Sequence, residues 1–103
     1  MESSTITVGR KFDADKPQYS MLPPQALLEV VHVLTFGASK YSPNNWRHVA
    51  NLRQRYFDAA NRHMWQWWCG EVNDEETKRH HLASAISNLM FILETELDDD
   101  NKE

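Results

Sequence analysis

Apolar side chains in this chain return every three or four residues in three separate stretches, and nowhere do they alternate over a strand's length, so the backbone has to be helical. Leu27, Val30, Val31 and Leu34 fall at i, i+3, i+4 and i+7, and Leu28, Val33 and Phe36 widen that stripe almost all the way round, with Glu29 and His32 interrupting the opposite side. Tyr56, Ala60, His63 and Trp67 form one stripe of a second helix, with Arg55, Asp58 and Arg62 on another. A third stripe runs through Leu82, Ile86, Leu89 and Leu93, and His81, Ser84 and Asn88 stand just beside it. There is no internal repeat and no glycine-rich phosphate loop.

Local punctuation sets the boundaries. Pro23 and Pro24 suit the first turn of a helix, where a missing N–H costs nothing, and Gly37 is a natural stop, so the first helix is predicted over residues 24–36. The turn formers of residues 38–46 follow. The second helix is predicted over 51–68, closed by Gly70. Asn73 as cap, with Glu76 reaching back three residues later, predicts that the third helix starts at 73 and runs to 96. Residues 1–18 read as a polar arm with interleaved charges (Arg10, Lys11, Asp13, Asp15, Lys16), and 97–103 as a frayed acidic tail.

At 103 residues the chain holds one domain, residues 1–103, an all-α bundle. Three short helices carrying four Trp, four Phe and three Tyr under-bury themselves, so a second copy is expected to complete the bundle, and Trp65, Trp67 and Trp68 cannot all face one core. A net charge of −4 gives no overall field for nucleic acid or anionic membrane, so neither is an expected partner. The single cysteine, Cys69, excludes an internal disulfide, and no apolar run approaches the roughly 18 residues of a membrane span. With no charged-then-apolar leader pattern, a reducing cytosol is the expected compartment.

The densest polar cluster is Glu71, Asp74, Glu75, Glu76, His80 and His81, with His63 one helix earlier. Carboxylates and imidazole at a helix junction can hold a divalent cation. Acidic residues in a helix's first turn also stabilise it without any ligand, and Asp74 to Glu76 fit that reading equally. Lys11, Lys16, Lys40, Arg55 and Arg62 could neutralise a triphosphate, or be ordinary surface charge. Tyr41 and Trp46, flanked by Asn45, could stack a base and read its edge, or simply seal a small core. Asn88 is either a ligand-facing amide or a device that fixes helix pairing.

These motifs in order resemble one family. Lys11-Phe-Asp13-x-x-Lys16-Pro, Leu22-Pro23-Pro24-x-Ala26-Leu27-x-Glu29-Val30 and Phe36-Gly37-Ala38-x-Lys40-Tyr41-x-x-x-Asn45-Trp46 are similar to the N-terminal domains of phage dATP/dGTP diphosphohydrolases. Arg55-Tyr56, Arg62-His63, Gly70-Glu71-x-x-Asp74-x-Glu76, His81-Leu82-Ala83 and Asn88 continue the likeness, from about Gly9 to Glu96. That family is similar in turn to the all-α MazG-like NTP pyrophosphatases, helical oligomers that release a nucleoside monophosphate and pyrophosphate. The resemblance implies Mg²⁺ or Mn²⁺ at Glu71, Asp74, Glu76 and His81, catalytic roles for Glu76, His81 and His63, and phosphate contacts from Lys11, Asp13, Lys16 and Lys40. Asn45 and Trp46 would face the base. The superfamily's Glu-Glu-x-x-Glu signature is not present in that form, Ser84 stands where a second histidine is expected, and Lys78 where glycine is common.

The function expected on these grounds is metal-dependent cleavage of purine (deoxy)nucleoside triphosphates in an infected bacterium's cytosol. Two alternatives belong to other classes. A catalytically silent protein could sequester a host immune signalling nucleotide, keeping the basic and aromatic positions but needing no metal. A helical interaction module could dock a partner through its tryptophans.

Overall fold

The computed structural model describes residues 9–101. Helix α1 spans Pro24–Lys40, α2 spans Leu52–Trp68 and α3 spans His81–Asn101, with single 3₁₀ turns at Tyr19–Met21 and Asn45–His48. No β-strand occurs among the described residues, and Asn73 and His80 form one isolated bridge. The fold is all-α, as the periodicity requires. No helix among these residues is long and apolar enough to cross a membrane.

The core is an antiparallel α2–α3 pair with α1 laid on α3. The register can be followed rung by rung: His63 meets His81 at 2.8 Å, the Tyr56 and Phe91 rings lie 5.0 Å apart, and Arg53 reaches Glu96 at 3.8 Å. Small residues make the close approach possible. Ala60 on α2 is fully buried, and Ala83, Ser84, Ala85, Ser87 and Asn88 are the buried side of α3.

That arrangement corrects the stripe expected on α3. Leu89 and Leu93 are 45% and 57% exposed, Ile86 is exposed too, and Leu82 is only half-buried. Close packing of two helices selects the side with the smallest side chains, so the large apolar residues are left at its margin, Leu89 bordering Leu52 and Phe57 of α2. On α1 only Val30 is buried, with Val33 and Leu34 half-buried, while Leu27, Leu28 and Val31 are exposed.

Two helix boundaries also differ from expectation. Helix α1 continues past Gly37 to Lys40, with the Tyr41 N–H bonded to the Gly37 carbonyl. Glycine weakens a helix without ending it, whereas Ser42 precedes Pro43 and is biased away from helical backbone. Helix α3 starts at His81 rather than at 73. Asp74, not Asn73, caps the turn, its carboxylate accepting the N–H groups of Glu76 (3.1 Å) and Thr77 (2.9 Å). Lys78 then enters the left-handed region at φ 64°, which stops the turn from propagating. At the far end α3 runs on to Asn101, where fraying from 97 was expected, and Arg47 pairs with Asp98 at 3.3 Å along the way.

Residues 9–28 are exposed throughout, including Phe12, Tyr19 and Met21. The first eight residues of the polar arm, and the last two of the acidic tail, lie outside the described residues.

Candidate active site

The α2–α3 connection is a closed loop held at both ends. Asp74 and Arg79 bond through the backbone at 2.8 Å, and the His81 N–H reaches the Val72 carbonyl at 2.9 Å. Glu29 on α1 tethers the loop from outside, accepting the His80 N–H (3.2 Å) and the Arg79 guanidinium (3.3 Å). In sequence Glu29 interrupts an apolar face, and no local pattern marks a contact across fifty residues.

This loop delivers Glu71 and Asp74 to two histidines. His81, fully buried at the start of α3, donates from Nε2 to Glu71 Oε1 at 2.8 Å. Its Nδ1 faces Nδ1 of His63 on α2, also at 2.8 Å, so one ring presents an N–H to the other's lone pair. Asp74 Oδ1 lies 4.0 Å from His63 Nδ1, its other oxygen being taken by the loop backbone. Burial pushes the His63 imidazole below its usual range, and the opposing pull of Asp74 does not restore it. Burial alone would raise the Asp74 carboxyl, but the Thr77 N–H and the His63 charge outweigh it and hold it below the ordinary carboxylate range. Neutral imidazole beside ionised carboxylate is therefore the state at neutral pH for this pair.

A cleft of about 690 Å³ opens between α1, the 42–49 loop and α2. Tyr41, Asn45, Trp46, Arg55 and Arg62, all anticipated as nucleotide contacts, line it, as do Tyr56 and Phe91, which were not. The Trp46 ring is already stacked on Phe91 (4.6 Å, 15°) with the Arg47 guanidinium 4.5 Å over it. The Trp46 ring is engaged inside the protein and forms the cleft wall, and Tyr41, 64% exposed, has the Lys40 amine 5.1 Å over its ring. The cluster residues do not themselves line the cleft; helices α2 and α3 carry both. Arg62 precedes His63 directly, and Asn88, nearly buried, lies on α3 between His81 and Phe91. From the histidines to the Tyr56–Phe91 rung is two to three helical turns, about 10–15 Å at 1.5 Å per residue.

Other anticipated residues are not brought in. Glu76 pairs with Lys40 instead of joining the histidines, and this ion pair raises the Lys40 amine and takes that lysine's charge as well. Lys11, Asp13 and Lys16 sit on the exposed arm, where the Lys16 N–H closes a turn on the Asp13 carbonyl, and none of them lines the cleft.

Comparison with known proteins adds two findings. A sequence profile of the family described as "dATP/dGTP diphosphohydrolase, N-terminal" matches residues 7–103. A protein of Salmonella phage PMBT28, named dATP/dGTP diphosphohydrolase, is 39% identical over 84 residues, which is 82% of this chain but 28% of that protein. No solved structure matches.

Proposed function

Because the chain belongs to the dATP/dGTP diphosphohydrolase N-terminal family, we propose that it binds a purine deoxynucleoside triphosphate in the cleft and hydrolyses it to the monophosphate and pyrophosphate. The observation that carries this reading is that Arg62, which lines the cleft, directly precedes His63 of the Glu71–His81–His63–Asp74 cluster on α2. The cleft offers aromatic surface and the Asn45 amide for a base and Arg55 and Arg62 for phosphates, and the cluster offers groups that accept protons. Water attacks the α-phosphorus, the bond from that phosphorus to the bridging oxygen breaks, and pyrophosphate leaves. The water's proton passes to a carboxylate of the cluster, and the two arginines offset the charge that grows on the leaving group. Phage nucleotide metabolism in the host cytosol is the setting we propose, with the protein acting as a homo-oligomer.

The set implied by family resemblance, Mg²⁺ or Mn²⁺ at Glu71, Asp74, Glu76 and His81, does not converge as four ligands: Glu76 is engaged with Lys40, and Glu71 is held on the outer nitrogen of His81, so no step is assigned to Mg²⁺.

The test is incubation of the purified chain with dATP, dGTP, dCTP and TTP across a panel of divalent ions, with products separated by chromatography. Monophosphate and pyrophosphate from the purine nucleotides are expected, and Arg62→Ala is expected to lower kcat/KM by about a hundredfold. Tight binding without product under every ion overturns hydrolysis in favour of sequestration. No binding at all leaves only the interaction module.

A further inference from the structure

We propose that His63, Asp74 and His81 form a site for an imidazole-preferring divalent transition metal, of the Mn²⁺, Co²⁺ or Zn²⁺ class, and not for Mg²⁺. This deepens the hydrolase reading and rests on it for its purpose, though not for its geometry.

The donor atoms of the three side chains all lie within 4.8 Å of one another. Two donors bound to one ion at about 2.1 Å stand about 3–3.4 Å apart, depending on whether the geometry is octahedral or tetrahedral. The 2.8 Å between the two Nδ1 atoms is already close to that, and the Asp74 carboxylate, 4.0 Å from His63 Nδ1 and within 4.8 Å of the His81 donor, needs to approach by about 1–2 Å. In the arrangement described, a proton lies between the two imidazoles. An ion placed there displaces that proton and takes both lone pairs.

The surroundings match what a metal-binding histidine needs. His81 Nε2 donates to Glu71, which fixes the tautomer that leaves Nδ1 free to bind an ion, the same carboxylate–histidine arrangement that orients metal ligands generally. Asp74 is anchored through Oδ2 by two backbone N–H groups, leaving Oδ1 as the available donor. Two imidazoles and one carboxylate leave coordination positions for water and a phosphate oxygen, and Arg62, the cleft residue next to His63 in sequence, is the nearest cleft cation along α2. Mg²⁺ sheds water reluctantly and prefers oxygen, so this donor set discriminates against it.

The experiment is titration of metal-stripped full chain with Mn²⁺, Co²⁺, Zn²⁺ and Mg²⁺ by calorimetry, with the visible spectrum of the Co²⁺ form as a second readout. One ion per chain is expected, with affinity rising from Mn²⁺ to Co²⁺ and no displacement by excess Mg²⁺. His63→Gln, which alters a half-buried residue rather than the fully buried His81, is expected to abolish the Co²⁺ spectrum with the helical circular dichroism intact. Glu71→Gln is expected to weaken binding by about ten- to a hundredfold while keeping the stoichiometry. Mg²⁺ binding as tightly as Mn²⁺, or His63→Gln retaining the spectrum, overturns the site. Because no nucleotide is present, metal binding without turnover would count against the hydrolase reading alone, and purine binding without metal against this site alone.

Discussion

Lys78 carries a side chain through a backbone region that favours glycine. Its φ of 64° closes the turn that Asp74 caps, and the residue itself is exposed. A left-handed non-glycine residue costs roughly 1–2 kcal/mol, part of which glycine returns through its greater freedom in the unfolded chain. Lys78→Gly is therefore expected to stabilise the protein by about 0.5–1 kcal/mol, measured as a shift in the urea midpoint with unchanged slope. No gain would mean that the loop's conformation is set elsewhere, for example by Glu29. Trp46 tells a related story. Its residue type marked it as an aromatic surface for a base, but type cannot show that Phe91 and Arg47 already stack on the ring. Phe91→Ala is expected to cost about 2–4 kcal/mol and to loosen the cleft wall, so near-UV dichroism of the tryptophans should fall together with stability.

The helices were legible to different depths. Helix α2 matches its expected span within a residue, because Asn51 and Gly70 bracket a strong period. The start of α3 was misplaced because Asn73 and Glu76 satisfy a local capping pattern, while the interactions that hold 73–80 as a loop come from Arg79, His80 and distant Glu29. Helix packing sides were misread for another reason: periodicity finds the large apolar stripe, and the α2–α3 contact uses the small-residue face. Gly37 offers a direct test at this scale. It lies inside α1, and a methyl group placed there would meet nothing within 4 Å. Gly37→Ala is expected to raise stability by about 0.5–1 kcal/mol, or several degrees in Tm for a domain of this size. A fall in Tm would show that the helix bends at Gly37 in solution.

At the scale of the whole molecule, the chain buries too little of itself. Among the described residues only Val30, Ala60, Ala83 and Ala85 are buried apolar side chains, and three of those are alanines. The radius of gyration is 18.8 Å, against about 12–13 Å for a compact chain of this length. Meanwhile Ile86, Leu89, Met90, Leu93 and Leu97 form a stripe along α3, each at least 42% exposed. These residues recur at helical spacing, so the stripe can meet its own copy across a two-fold axis, each helix filling the other's grooves. A second copy is the occupant that the sequence's helical pattern and aromatic excess already implied. The purified chain is accordingly expected to sediment as a homo-oligomer at micromolar concentration, with a Tm that rises with protein concentration. Leu93 lies at the middle of the stripe and is more than half exposed in the single chain, so Leu93→Glu adds a charge that the isolated fold tolerates and a packed interface does not. That substitution is expected to shift the protein to monomer and lower its Tm at high concentration while leaving the Tm of dilute protein nearly unchanged. A wild-type monomer at micromolar concentration, with Leu93→Glu indistinguishable from it, would remove the second copy from the account and leave the stripe to a different partner.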